Sequence, residues 1–136
     1  MANNGADESG NIRRMAVIGA GQSGLRVIRH FAADPAYEVV AFEQQGRTGG
    51  LWNYPHDSEE LSKVDDDQSA YFCRMHRNLR TNATKYYQVY EGQVGMEDQM
   101  DLFPTRQTMC DYLQQYAKVH NLLKHIKLHY KELIIR

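Results

Sequence analysis

The chain has 136 residues, 16 Lys+Arg against 17 Asp+Glu for a net charge of −1, 42% hydrophobic content and two cysteines. That length fits one domain able to bury a core without a disulfide or metal staple, and the balanced charge argues against a nucleic-acid module held by bulk electrostatics. The first ten residues lack the apolar core of a signal peptide and no apolar run is long enough to span a bilayer, so reduced Cys73 and Cys110 and a cytoplasmic location are expected.

Residues 1–12 are small and polar without apolar periodicity, and are expected to form a disordered leader. Order is expected from residue 13. Arg13-Arg14-Met15-Ala16-Val17-Ile18 has the length and composition of a buried parallel strand, ended by the turn Gly19-Ala20-Gly21. From Gly21 to Ala33, Leu25, Ile28 and Ala32 recur at helical spacing, with Val27 and Phe31 widening the stripe. The helix must stop near Asp34-Pro35, because proline disfavours helix in the residue before it. Glu38-Val39-Val40-Ala41-Phe42-Glu43 is a second strand. Strand, glycine turn, helix and strand in about thirty residues make a right-handed β-α-β unit, so the fold class is α/β with a parallel sheet, Rossmann-like.

Between Asp57 and Asp67 six acids stand against Lys63, which predicts a solvated loop; its spacing does not match a calcium loop. The tract Tyr86 to Met100 has no clean period and reads as loop or short strand. Thr105 is a plausible N-cap for a helix in which Met109, Leu113, Tyr116, Ala117 and His120 share a face until Asn121, with Tyr112 widening it. His120 is read as a packed core histidine. Ile126-Lys127-Leu128-His129 alternates as a strand does, and Glu132-Leu133-Ile134-Ile135 begins another. The six histidines and two cysteines show no ligand spacing for a metal, and the basic tail from Lys118 to Arg136 reads as a solvated face.

The sharpest chemical signal is Gly19-Ala20-Gly21-Gln22-Ser23-Gly24 at the junction of strand and helix. In this pattern the first glycine permits the tight turn, the second lets backbone approach a pyrophosphate, and the third lets helix and strand pack closely. The helix N-terminus adds free N–H groups and partial positive charge. Glu43 ends the second strand about twenty positions after the third glycine, where an acid accepts the ribose hydroxyls of an adenosine. A carboxylate there repels the 2′-phosphate of NADP, leaving NAD or FAD for this site. Gly49-Gly50 followed by Leu51-Trp52 lets the chain pass against a flat ring or diphosphate beside an apolar wall, which favours FAD. Arg47 reads as a loop residue or a phosphate contact.

Together, Gly19-Ala20-Gly21-Gln22-Ser23-Gly24, Phe42-Glu43 and Gly49-Gly50-Leu51-Trp52 resemble the N-terminal FAD-binding region of flavin-containing monooxygenases. The stretch Met75 to Lys85, with Thr81-Asn82 at its centre, and Phe103-Pro104-Thr105 leading into Tyr112-Leu113, Tyr116-Ala117, Asn121-Leu122 and Ile126 are similar to the segments that follow in that family. The resemblance implies that Gly19 to Ser23 hold the FAD pyrophosphate, with Gly24 completing the fingerprint. It places Glu43 at the ribose, and Gly50, Leu51 and Trp52 toward the flavin. Asn82 is implied to be the catalytic residue, near the reactive edge of the isoalloxazine and the nicotinamide, flanked by Thr81 and Ala83. An asparagine amide has donors and acceptors without charge, which suits that role. Asn82-Ala83-Thr84 also reads as a glycosylation sequon, which the absence of a secretory signal disfavours.

The implied chemistry uses FAD, NADPH and O2. A C4a-hydroperoxyflavin passes oxygen to a small amine or sulfide, and the cofactor carries the reactive oxygen. No second glycine fingerprint follows Gly50, and Tyr86-Tyr87-Gln88-Val89-Tyr90-Glu91-Gly92 replaces an expected aromatic and proline-rich stretch. Residues 13–136 are therefore expected to be the N-terminal part of an FAD-binding domain, an incomplete one, without the NADPH-binding domain. Two alternatives stand beside this reading: a truncated FAD or dinucleotide binder without turnover, and a small NAD-binding Rossmann protein. Membrane association of some relatives is implied to rest on segments outside this sequence.

Overall fold

The computed structural model describes residues 11–53, 75–76, 78–90 and 96–130. The leader up to residue 10, the acidic tract, Cys73 and the strand expected at Glu132 to Ile135 lie outside the described residues. β1 (Arg13–Ile18), α1 (Gln22–Ala32) and β2 (Tyr37–Phe42) form the expected unit, and β3 (Ile126–Lys127) completes a parallel sheet ordered β1-β2-β3. The register sets Met15 beside Val39, Val17 beside Ala41 and Ile18 beside Phe42. Ala41 and Phe42 then pair with Ile126 and Lys127. The expected third strand is shorter than the alternation of Ile126 to His129 suggests, because His129 adopts a φ of 58° and turns the chain over Gln45.

One side of the sheet carries the core. Val17, Val39 and Ala41 join Leu25 and Ile28 of α1 and Met109, Leu113, Tyr116 and Ala117 of the long helix α3 (Arg106–Val119). Burying each Val, Leu, Ile or Met side chain of this set stabilises the fold by about 1.5–3 kcal/mol relative to exposure. Thr105 caps α3 as expected, its hydroxyl accepting from the Thr108 N–H at 3.1 Å. His120 packs edge-on to Tyr116 but is half-buried at the end of α3 rather than part of the core that the sequence reading expected.

Three details depart from the sequence expectations. β1 is buried on one face only, since Ile18 is 82% exposed and Ala16 is exposed as well; a hydrophobic run alone cannot say whether one face or two will be covered. Val27 points to solvent rather than widening the α1 stripe, whereas Phe31 packs edge-on against Tyr37. The described part of the Tyr86 to Met100 tract contains no strand. Its start belongs to the four-residue helix α2 (Lys85–Gln88), and a 3-10 turn follows at Glu97–Gln99.

Candidate nucleotide site

The glycine loop takes its shape from two different demands. Gly19 has φ +91°, a conformation that L side chains rarely adopt, and a Cβ there would point into open space. Gly24 is needed for room: a Cβ would lie 2.0 Å from the Gly19 carbonyl oxygen, so α1 rests directly on the end of β1. Next, α1 begins after Gly21 with no side-chain cap. Its first N–H groups therefore face outward as donors with the positive end of the helix dipole behind them.

Glu43 closes this loop from the other side. It is 3% exposed, and its Oε2 accepts from the Ala20 N–H at 2.7 Å while Oε1 accepts from the Gln45 N–H at 2.8 Å. A carboxylate has about four acceptor sites, so two bonds leave capacity for hydroxyl donors. The end of β2 is held by backbone bonds on both flanks: Gly19 N–H donates to the Phe42 carbonyl, and Tyr130 N–H donates to the Glu43 carbonyl.

The second glycine pair lies against the first. A Cβ on Gly50 would come within 2.8 Å of the Gly21 Cα, and the Gly49 N–H donates to the Ala20 carbonyl at 3.1 Å. Two backbones meet here without side chains between them. The turn Gly50–Trp52 leaves Leu51 66% exposed and Trp52 half-buried, with the indole N–H of Trp52 donating to Gln22 Oε1 at 3.4 Å. Gln22 Nε2 in turn reaches the Gln88 carbonyl, and the Tyr90 hydroxyl donates to the Gln22 carbonyl. Ser23 is exposed beside this network, on the first turn of α1.

Thr81, Asn82 and Ala83 form a bend whose Thr81 hydroxyl donates to the Ala83 carbonyl at 2.7 Å. Thr81 is buried and Asn82 is exposed. The bend is tied to the start of α3, since Thr81 N–H donates to the Pro104 carbonyl. Gly19 to Gly24, Glu43 and Gly49 to Trp52 thus meet in direct contact, and Thr81 to Ala83 joins them through Pro104 to Arg106.

Several residues of this neighbourhood carry no motif. Asn53 is buried and donates its Nδ2 to Gln45 Oε1 at 2.6 Å, bracing the residue that follows Glu43 by two. Arg106 is 1% exposed and donates to the Trp52 carbonyl at 3.0 Å. Tyr90 lies against Tyr112 and Tyr116 and donates its N–H to the Tyr112 hydroxyl. Burial, then the neighbouring tyrosines, push the Tyr90 phenol well above the usual tyrosine range. The thiol of Cys110, close behind Gly49, is also held above its ordinary value, chiefly by burial.

The residues present fit an adenine dinucleotide on physical grounds: an uncapped helix N-terminus, a glycine loop kept free of Cβ atoms, and a buried carboxylate with acceptor capacity to spare. The model of the flavin-binding monooxygenase-like family matches residues 12–135. Trimethylamine monooxygenase of Roseovarius nubinhibens is 35% identical over 116 residues, covering 79% of this chain and 25% of that protein. Thiol-specific monooxygenase of Saccharomyces cerevisiae is 30% identical, covering 78% and 22%. Human dimethylaniline monooxygenase [N-oxide-forming] 4 is 32% identical, covering 85% and 18%. The chain therefore spans between 18% and 25% of the length of these three relatives. Among solved structures, Tmm from Pelagibacter superposes with a TM-score of 0.65 at 27% identity, covering 86% of this chain and 28% of that one. S-allyl-L-cysteine S-oxygenase from Allium sativum superposes with a TM-score of 0.61 at 23% identity, covering 87% and 28%, a likeness of fold. The chain belongs to the flavin-binding monooxygenase-like family.

Proposed function

We propose that this chain binds FAD, and that it supplies the FAD-binding segment of an FAD- and NADPH-dependent monooxygenase that uses O2 to oxygenate small nitrogen or sulfur nucleophiles. The observation that carries the reading is the lock between Glu43 and the glycine loop, where a carboxylate that the Ala20 N–H holds lies at the foot of an uncapped helix. When bound, the flavin supplies the oxygen-transfer chemistry. The protein's task is to hold it. On this reading Gly19, Ala20, Gly21, Gln22 and Ser23 with the start of α1 bind the pyrophosphate, Gly24 seats the helix, Glu43 accepts the ribose hydroxyls, and Gly50, Leu51 and Trp52 face the ring system. Asn82, flanked by Thr81 and Ala83, offers an uncharged amide at the reacting edge. The substrate class rests on relatives named for trimethylamine, dimethylaniline and thiol oxygenation.

For the chain alone, nucleotide binding without turnover is the second reading, favoured by its span of a quarter or less of these relatives and by the lack of a second glycine fingerprint. No helix among the described residues is long and apolar enough to cross a membrane; a cytoplasmic location is part of the proposal.

Competitive titration tests the nucleotide. FAD is expected to bind in preference to NAD and NADP, and Gly21→Val, which places a side chain against Gly50, is expected to abolish binding. Preference for NAD would favour the small Rossmann reading instead. NADPH oxidation by the FAD-loaded chain separates turnover from binding alone.

A further inference from the structure

Arg106 is the most deeply buried charged side chain among the described residues, and the nucleotide site described above gives it no role. It is 1% exposed, and it occupies the first turn of α3, where the positive end of the helix dipole disfavours a cation. Burying a guanidinium there is costly unless it is matched to acceptors in a fixed geometry. An arginine in this position against both local preferences is a mark of function rather than of helix formation.

Its bonds indicate which function. Nη1 donates to the Trp52 carbonyl at 3.0 Å, and Nη2 donates to Gln107 Oε1 at 3.2 Å. Its backbone N–H donates to the Leu79 carbonyl at 2.8 Å, and two residues earlier the Pro104 carbonyl accepts from Thr81. The antiparallel bridge between Arg80 and Thr105 fixes the same junction. One residue therefore grips the Gly50–Trp52 turn with its side chain and the segment entering Thr81-Asn82 with its backbone.

We infer that Arg106 is a positioning residue for the flavin: it sets the Gly50–Trp52 turn against the Thr81–Ala83 bend, so that the two segments meet the ring at a fixed separation. This rests on the FAD reading above. The guanidinium suits the task because its planar fork holds a carbonyl acceptor in one direction, which a lysine ammonium on a flexible stem does not.

Trp52 is the sole tryptophan, so its emission reports the tie directly in the chain without nucleotide. In Arg106→Met, which keeps the aliphatic stem and removes the donors, Trp52 emission is expected to shift to the red and its quenching by acrylamide to increase. FAD affinity is expected to fall at least about tenfold, the scale of one hydrogen bond to a charged group. Arg106→Lys is expected to show the same Trp52 changes in part, and it serves as the second variant should the methionine variant fail to fold. Leu113→Ala removes core volume from the same helix and is expected to lower thermal stability while leaving Trp52 quenching and FAD affinity as in the parent chain. A folded Arg106→Met or Arg106→Lys with parental emission, quenching and affinity overturns the inference, as does a Leu113→Ala variant that reproduces the Arg106 effects. Failure of the parent chain to take up FAD contradicts the nucleotide reading and the flavin half of the inference, whereas Trp52 quenching still decides the tie itself.

Discussion

At the scale of single residues, the site is built by contacts that leave no slack. Gly24 shows this most plainly: the 2.0 Å approach of a Cβ to the Gly19 carbonyl oxygen cannot be relieved by turning a side chain. Gly24→Ala is therefore expected to cost more than the ~1–3 kcal/mol of ordinary overpacking, measured by urea unfolding, because helix and strand must part to admit it. Glu43→Gln should behave differently. It retains one acceptor oxygen, so the fold survives, but the amide presents its N–H2 group to either the Ala20 or the Gln45 N–H. FAD affinity in a fluorescence titration is expected to fall about tenfold or more, the worth of a hydrogen bond to a charged group. These two residues were legible in the sequence because fingerprint spacing fixes their chemistry. Arg106 and Asn53 were not. A buried arginine is written with the same letter as a solvated one, and only the folded chain shows that Trp52 turns its carbonyl toward residue 106.

At the scale of elements, periodicity predicted β1, α1, β2 and α3 well, since each buries a stripe that repeats with its own geometry. It was weakest where tertiary contacts decide. α2 has four residues, too few for a period, and is held by the Lys85 N–H on the Leu102 carbonyl and by Lys85 Nζ on the carbonyls of Glu97 and Met100. The start of α3 offers a local test. Thr105→Ala is expected to lower stability by ~1 kcal/mol in chemical denaturation, and Thr105→Asp to restore it, because an aspartate also accepts from the Thr108 N–H. The tyrosine cluster that joins α3 to the segment after α2 offers another. Burial raises the Tyr90 and Tyr112 phenols above the tyrosine value of 10.0 in the folded state. A raised folded value means that the native chain binds those protons more tightly than the unfolded one. That stabilisation is complete below about pH 10, the unfolded tyrosine value, and is lost as the pH rises further. Tyr90→Phe loses the bond to the Gln22 carbonyl, so it should be less stable near neutrality by about 1 kcal/mol, yet its melting temperature should fall less steeply above pH 10.

At the scale of the whole molecule, the described residues form a sheet covered on one side. Leu25, Ile28, Leu113 and Tyr116 pack beneath it, while Ala16 and Ile18 on the other face meet solvent. Parallel sheets are ordinarily covered on both faces. The chain spans 18% to 25% of the length of three family relatives. What the sequence did not reveal is that the pieces of the nucleotide site come together within these residues: Ala20 bonds both Glu43 and Gly49, and Gly21 lies against Gly50, through backbone and carboxylate alone. From that contact we expect this chain to hold FAD by its own β-α-β unit. The most direct measurement is the visible spectrum of the 136-residue chain after saturation with FAD and removal of free nucleotide by gel filtration. Flavin bands are expected to travel with the protein at one FAD per chain and to disappear in Glu43→Arg. A folded chain that emerges colourless, or flavin bands that persist unchanged in Glu43→Arg, would contradict this expectation.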